Sequence, residues 1–456
     1  MQYNSANYIK MAEIFKRKIY KYILEWKKCN GKTALLIEGA RRVGKSTIVR
    51  QFAENEYKSH IFIDFSEASK DVRDLFSDIH DLDFFFLRLQ TIFGVSLHKR
   101  ESLIIFDEVQ FEPRARQAIK HLVADGRYDY IETGSLISIR KNVKDILIPS
   151  EEETIEMLPL DYEEFLWATG NDALPELLRQ CLLSKRALGD AAHRQMMREF
   201  RIYMLVGGMP QAINAYIDTN DFSIVDQTKR RIIDLYENDF IKIDTSGRIS
   251  SLFDAIPAQL ANNVSRYKPH AVAESDSYTM QTKIQELASS KTVNLCYHAT
   301  DPGAMMSAFY DAERFKMFIG DTGLFITLAF KNEGFTKNLI YQKLLSDKLS
   351  ANLGYVYENM VSQILRASGK RQFYYTFPNP NSTGYYEIDF LISEGVKVMP
   401  IEVKSSGYSR YASLEAFCHK FSDRISQPYV VSPKDRSSKE GIINIPVYLL
   451  PFLLES

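Results

Sequence analysis

The sequence predicts an α/β protein of several domains, the first of them built on a parallel sheet. Three observations lead there. Short apolar runs alternate with helical periodicity over residues 33–158, strand-like runs vanish from about Tyr162 to Ile243, and they return beyond about residue 350. The chain has 456 residues, 45% hydrophobic and 25% charged, which excludes a disordered chain and a membrane bundle. At roughly 100–200 residues per domain, this length supports about two to four separate cores.

In chain order, residues 8–28 set Ile9, Ile14, Phe15, Ile19, Ile23 and Trp26 at mostly helical steps with lysines between, an amphipathic helix. Thr33–Ile37 reads as a buried strand, followed by a loop at Gly39–Thr47 and a helix through about Phe52. Further strands are expected at His60–Phe65, Leu103–Asp107, Tyr128–Thr133 and Thr154–Leu158, with helices around Val72–Phe93 and Ala115–Ala124. Strands alternating with helices build a parallel sheet covered on both faces. Residues 162–243 then read as helical, broken sharply at Gly207-Gly208-Met209-Pro210. Residues 244–330 mix short helices with a hairpin of Asn294–Tyr297 and Phe315–Ile319, which suits a small winged-helix-like module. A helix at Leu353–Ala367 leads to strands Phe373–Thr376, Tyr386–Ile392, Val398–Val403 and Tyr429–Val431.

Charge and cysteine usage narrow the partners. Fifty-seven Lys/Arg against 58 Asp/Glu give a net charge of −1, so any nucleic-acid surface must be a local patch. Arg266, Lys268 and His270, within 262–275, form one such cluster, too small to outweigh a solvated loop. The four cysteines (29, 181, 296 and 418) lie far apart, without Cys-x-x-Cys pairs or metal-ligand spacing, as expected in a reducing compartment. The start lacks the apolar core of a signal peptide, and the longest apolar stretch, Ile445–Leu454, is broken by two prolines. The expectation is a cytoplasmic chain without a membrane partner.

The strongest motif is Gly39-Ala40-Arg41-Arg42-Val43-Gly44-Lys45-Ser46, which satisfies G-x-x-x-x-G-K-[ST] between an apolar strand and a helix. Gly39 and Gly44 let backbone N–H groups close around a β-phosphate, and Arg42, Val43 and Thr47 complete the loop. Lys45 would set its ammonium against the β- and γ-phosphate oxygens, and Ser46 would offer a hydroxyl to Mg²⁺. Leu103-Ile104-Ile105-Phe106-Asp107-Glu108 describes a buried strand whose acids emerge at its C-terminal end, where ligands bind in open α/β sheets. Asp107 would hold the Mg²⁺ shell, and Glu108 would orient or deprotonate the attacking water. Tyr130-Ile131-Glu132-Thr133-Gly134-Ser135 supplies a third element, with Thr133 or Ser135 placed to contact metal-bound water and γ-phosphate. The same two hydroxyls also suit a helix cap.

The segments Gly39–Thr47, Phe106–Gln110, Thr133–Ser135 and Gly207–Pro210 together resemble the bacterial and archaeal AAA-type ATPases that carry a restriction-endonuclease-like C-terminal domain of undefined function. The resemblance extends to Ile256-Pro257-Ala258 and Asp321-Thr322-Gly323-Leu324. It implies an N-terminal helix plus P-loop NTPase core at 1–160, with an extra strand between the P-loop strand and the Asp-Glu strand. A helical lid at 161–243, a winged-helix-like module at 244–340 and a PD-(D/E)-x-K-like α/β domain at 341–456 would follow. No residue matches the arginine finger or the lid arginine, for which Arg140, Arg230 and Arg231 are candidates.

In the last domain, Glu387-Ile388-Asp389-Phe390 and Pro400-Ile401-Glu402-Val403-Lys404 alternate acid or base with apolar residues around a turn near Gly395. A hairpin there would bring Asp389 close to Glu402, with Lys404 on the same face as Glu402. Two carboxylates and a lysine suit metal-dependent phosphodiester cleavage, with Asp389 and Glu402 on Mg²⁺ and Lys404 at the water. The spacing resembles the PD-(D/E)-x-K nuclease pattern, whose helix glutamate matches Glu358, although no proline precedes Asp389. An exposed cross-strand pair is the plain alternative.

These readings converge on Mg²⁺-dependent ATP binding and hydrolysis that moves the attached C-terminal domains. An ATP-gated nucleic-acid-binding or scaffolding switch and an ATP-regulated nuclease are the alternatives. DNA, RNA, a protein partner and an oligomer are all compatible with the sequence.

Overall fold

The computed structural model describes residues 14–455, apart from residues 78, 135–149, 263–264, 274–275, 304, 335–338, 346–352 and 407–410. Ile9, Ser135 and Arg140 lie outside the described residues. Two sheets organise the chain.

The first sheet has five strands, all paired in parallel: β1 (Ala34–Glu38), β2 (Ser59–Asp64), β3 (Ser102–Asp107), β4 (Asp129–Gly134) and β5 (Glu152–Glu156), in the order β2-β3-β4-β1-β5. β4 therefore stands between the P-loop strand β1 and the Asp-Glu strand β3. Central strands β3 and β4 are buried on both faces, which is why Leu103–Phe106 of β3 reads as an unbroken apolar run, whereas β4 buries Glu132 and Thr133 as well. The helix expected over Val72–Phe93 is instead two pieces, Lys70–Asp74 and Leu82–Phe93. Ser69 and Asp81 each accept a backbone N–H three residues on and start a new helix there. Beneath one face of the sheet, the rings of Phe65, Phe76, Phe85 and Phe106 pack edge to face or tilted.

Residues 162–243 are helical throughout: Tyr162–Ala168, Leu174–Ser184, Asp190–Val206, Pro210–Thr219 and Phe222–Ile243. The first begins in a capping box, Asp161 accepting from Glu164 N at 2.9 Å and Glu164 from Asp161 N at 3.1 Å. Helices Arg248–Asp254, Ile256–Ala261 and Ser277–Ser289 lead to the expected hairpin, β6 (Val293–Ala299) and β7 (Tyr310–Ile319), with Asn294 opposite Phe318.

That hairpin is not a sheet of its own. β6 pairs in parallel with β8 (Phe373–Pro378), so the sheet crosses the boundary expected at 340/341. Eight strands run in the order β12-β13-β11-β10-β9-β8-β6-β7, adding β9 (Tyr385–Glu394), β10 (Lys397–Val403), β11 (Tyr429–Ser432), β12 (Ser437–Lys439) and β13 (Ile442–Pro446). The pairing was hidden because only Tyr297–Phe373 and His298–Tyr374 carry it, 76 residues apart in sequence. One face of this sheet is covered by the Ala412–Lys420 helix and the other by Gly354–Ala367. A continuous apolar core joins Phe165 and Tyr203 of the helical segment to Tyr357 and Phe390 of the second sheet. Among the described residues, no helix is long and apolar enough to cross a membrane.

Candidate nucleotide-binding site

The loop after β1 turns into the Lys45–Glu56 helix through Gly44, whose φ of 101° strongly favours glycine. A Cβ at Gly39 would stand 2.3 Å from the Met157 carbonyl oxygen, so β5 passes too close for a side chain. Val43 is buried in the core, Arg42 is exposed with φ 70°, and Thr47 is exposed on the first helical turn. The Lys45 ammonium, buried and curled back, donates to the carbonyl oxygens of Gly39 at 3.0 Å and Ala40 at 3.1 Å. Burial lowers its pKa, while Glu108 and Asp107 act in the opposite sense.

Asp107, at the end of β3, gathers the expected partners. Its Oδ1 accepts from the Ser46 hydroxyl at 2.8 Å and from the Thr133 hydroxyl at the end of β4. Burial raises the Asp107 pKa, and these two hydrogen bonds oppose the rise. Glu108 follows in a left-handed conformation, φ 53°, with its backbone N–H donating to Thr133 Oγ1 at 3.3 Å and its carboxylate accepting from Gln110. Lys45, Ser46, Asp107 and Glu108 line one cleft of about 430 Å³, and Thr133 supports it from behind.

Sequence reasoning missed the cations that frame the cleft. Arg17, from the turn before the Ile19–Lys27 helix, donates to Val43 O at 3.0 Å and Leu158 O at 2.6 Å and pairs with Glu164 at 3.2 Å. Arg41 is held by Asp239 at 3.0 Å, and its carbonyl accepts from Tyr236 at 3.0 Å, both on the Phe222–Ile243 helix. Pro210 lines the same cleft as Gly44, 3.6 Å from where a Gly44 Cβ would lie, so the Gly-Gly-Met-Pro break stands beside the loop. Neither candidate arginine of that helix lines the cleft. Arg230 instead binds Asp226 and the carbonyls of Phe330, Lys331 and Glu333, and Arg231 is exposed.

Residues 31–166 match the family model of an AAA domain. Two further models, both described as domains of unknown function, match residues 197–334 (DUF8612) and 353–450 (DUF4143). The uncharacterized protein MJ1637 of Methanocaldococcus jannaschii is 23% identical over 210 residues, 44% of this chain and 42% of that relative. The chain therefore spans less than half the length of this curated relative. The walker-type ATPase PABY2304 of Pyrococcus abyssi is 17% identical, over 69% of this chain and 96% of that one, with a TM-score of 0.42. The Aeropyrum pernix ORC1 protein in complex with DNA is 10% identical, over 70% and 93%, with a TM-score of 0.29. Scores this low establish neither a shared fold nor a shared activity. The AAA domain rests on its own strand order, its loop and the family model.

The C-terminal constellation also assembles, away from the AAA domain. β9 and β10 pair antiparallel with Ile401 opposite Phe390, which sets Glu402 beside Asp389, and Asp389 Oδ2 accepts from Val403 N at 2.7 Å. Lys404 pairs with Glu402 at 2.6 Å. Glu402 is buried, not an exposed cross-strand partner, because the Gly354–Ala367 helix lies over this face and carries Glu358 into the same cluster. Burial first, then Asp389, pushes Glu402 up to about 8, and burial pushes Glu358 up to about 7. An unforeseen member is Lys316 of β7, buried and paired with Glu358 at 3.3 Å and Glu387 at 2.6 Å. Only a sheet that continues from β7 to β9 brings it there. Among the described residues, no three His, Cys, Asp or Glu side chains converge closely enough to hold a metal ion by themselves.

Proposed function

We propose that the chain binds Mg²⁺·ATP in the cleft of the AAA domain and hydrolyses its γ-phosphate. The observation that carries this reading is Asp107, whose single oxygen Oδ1 takes hydroxyl hydrogen bonds from both Ser46 and Thr133, with Glu108 next in the chain. This donor set fits Mg²⁺, a hydroxyl and a carboxylate already in contact and ready to open onto one ion. Mg²⁺ bound there would neutralise charge on the β- and γ-phosphate oxygens. Lys45 would exchange its two carbonyl partners for phosphate oxygens, and the helix N-terminus behind Gly44 favours the same anion. Glu108 would orient the attacking water and accept its proton, and Thr133 holds both acids in register. Asp239 and Tyr236 tie the helical lid at 161–243 to Arg41 of the loop, so loss of the γ-phosphate would be felt by that lid. Lys45→Ala should abolish nucleotide binding, and Glu108→Gln should retain binding while slowing turnover about 100- to 10,000-fold. Normal hydrolysis by Glu108→Gln would refute the assignment.

A second reading rests on the C-terminal cluster. Among the described residues, Glu358, Glu387 and Glu402 pair with Lys316 and Lys404, Asp389 stands beside Glu402, and Glu402 Oε2 is buried without a hydrogen-bond partner. A divalent cation bound there would favour the charged forms of Glu402 and Glu358, which burial now opposes. Asp389 and Glu402 would hold Mg²⁺ with waters or substrate oxygens completing its shell, and Lys404 would stabilise charge developing on a phosphodiester. Mg²⁺-dependent cleavage of DNA or RNA, lost in Asp389→Ala while ATP hydrolysis survives, is the expected result. Absence of cleavage in the unmodified protein would leave the cluster a binding module. The winged-helix-like arrangement of 244–340 belongs to the same proposal, as a module whose hairpin completes the C-terminal sheet.

A further inference from the structure

A cleft of about 640 Å³ lies between the loop at 265–273, the Ser277–Ser289 helix and the β6–β7 hairpin, and none of its lining residues belongs to the nucleotide cleft or to the C-terminal acidic cluster. Its size falls within the range of about 300–1,000 Å³ usual for pockets that take small organic groups. The floor is apolar and aromatic. Tyr267 and Phe315 stack with centroids 6.0 Å apart and planes within 16°, Met280 and Ile284 rise beside them, and half-buried Tyr297 leans against Phe315. The amides of Gln281 and Gln285 line the helix wall, and Arg266, Lys268 and His270 stand exposed on the rim. Glu313 is the acid among the lining residues, and its carboxylate is engaged by the Gln281 amide at 3.0 Å.

The rim is built, not a loose solvated loop. Lys268 N donates to Gln259 Oε1 at 2.7 Å and Lys268 O accepts from Gln259 Nε2 at 3.1 Å. Next to it, Tyr267 N donates to Phe315 O at 2.7 Å and the Tyr267 hydroxyl to Leu252 O at 2.6 Å. These four bonds fix the backbone at Tyr267 and Lys268, and with it the basic stretch from Arg266 to His270, at the mouth of a cleft with π-faces below and amide edges at the side. We propose that this cleft binds single-stranded nucleic acid, one or two unstacked bases entering against Tyr297 and the flanking phosphates resting on Arg266, Lys268 and His270. Aromatic faces receive any unstacked base, amides read base edges, and cations neutralise the backbone. A duplex keeps its bases stacked and offers nothing to the floor. An acidic peptide would meet the rim but has no use for the amide wall. The inference does not depend on nuclease activity.

The test is fluorescence anisotropy of the full chain with labelled single-stranded DNA and RNA oligonucleotides of about 12 nucleotides. The matching duplex and a Glu/Asp-rich peptide containing phenylalanine are the competitors, over a range of salt. Single strands should bind in preference to both. Arg266→Glu and Lys268→Glu, at exposed positions, should each weaken binding by at least about tenfold and flatten the salt dependence by about one phosphate contact. Tyr297→Ala should weaken binding about five- to a hundredfold without changing the salt slope, and Tyr297→Phe should restore it. Mg²⁺·ATP binding should be unchanged in every variant, which separates loss of the cleft from loss of the fold. No binding of single strands, preference for the duplex or the peptide, or affinity unmoved by the rim and floor variants would each overturn the proposal.

Discussion

Arg17 shows how far a single side chain can act from where its sequence context places it. It sits in the lysine-rich N-terminal segment, yet its guanidinium is buried and reaches the P-loop carbonyl of Val43, the β5 exit at Leu158 and Glu164 of the helical segment. Replacing it with alanine leaves Glu164 buried without its cation and the Val43 oxygen without its donor. Arg17→Ala should cost about 3–5 kcal/mol of stability by denaturant unfolding, with nucleotide affinity falling as well. An unchanged unfolding midpoint would contradict this. The other residue-scale expectation concerns Thr133, which holds Asp107 and the Glu108 N–H. Thr133→Ser should keep turnover near normal and Thr133→Ala should slow it, measured as steady-state ATP hydrolysis. Lys45, Ser46, Asp107 and Glu108 were legible because the phosphate-binding loop and the acid-ending strand are contiguous motifs. Arg17, Arg41 and Lys316 were not, because each meets its acidic partner across more than 40 residues of chain and leaves no local pattern.

At the scale of elements, all five strands of the first sheet were readable from apolar runs, within a residue or two of their ends. The period says which segments are strands but not which faces carry acids. β4 buries Glu132 completely, next to Glu152, whose carboxylate is already taken by Arg116 at 2.7 and 3.1 Å. Burial first, and then the neighbouring Glu152 carboxylate, push the Glu132 pKa well above the carboxylate range, so Glu132 is held protonated. The sign of the linkage follows. The folded state keeps a proton that the unfolded chain releases above the ordinary glutamate pKa of about 4.3, so this stabilisation is full at acid pH and is lost as pH rises. Glu132→Gln, which keeps the donor without the titration, should flatten that decline in a series of unfolding midpoints from pH 5 upward. An unchanged or steeper decline in the variant would show that Glu132 is charged in the folded protein. The β6–β8 pairing, by contrast, could not be read, since a two-residue parallel contact has no sequence signature.

Across the whole molecule, the nucleotide cleft and the C-terminal sheet are joined by buried polar contacts. Gly208 N donates to Asp321 Oδ2 at 2.5 Å, and Asp321 Oδ1 caps the Thr322–Leu328 helix at Leu324 N, 2.8 Å. Thr322 N donates to Gln363 at 2.7 Å, and Asn359 bridges Ile319 and Thr322, so the Gly354–Ala367 helix that carries Glu358 is fixed to the same junction. The Gly-Gly-Met-Pro and Asp-Thr-Gly segments were visible in the sequence, but their contact with one another was not. Gly207, at φ 81°, leaves no room for a Cβ, which would stand 2.3 Å from Asp321 Oδ1, and a Gly208 Cβ would stand 2.1 Å from Leu160 O. Asp321→Ala strips two buried N–H groups of their acceptor and should destabilise the fold by about 2–6 kcal/mol, at roughly 1–3 kcal/mol for each. A single cooperative transition at lower denaturant would support one shared junction, whereas an unchanged midpoint would contradict it.

The central claim is that the loop at 39–47 cradles a triphosphate. Isothermal titration calorimetry of Mg²⁺·ATP into the intact chain, beside Lys45→Ala, tests it most directly. Saturable heat at one site per chain, absent in Lys45→Ala, is the predicted result. No heat with the unmodified protein, or equal binding by the variant, would contradict the account.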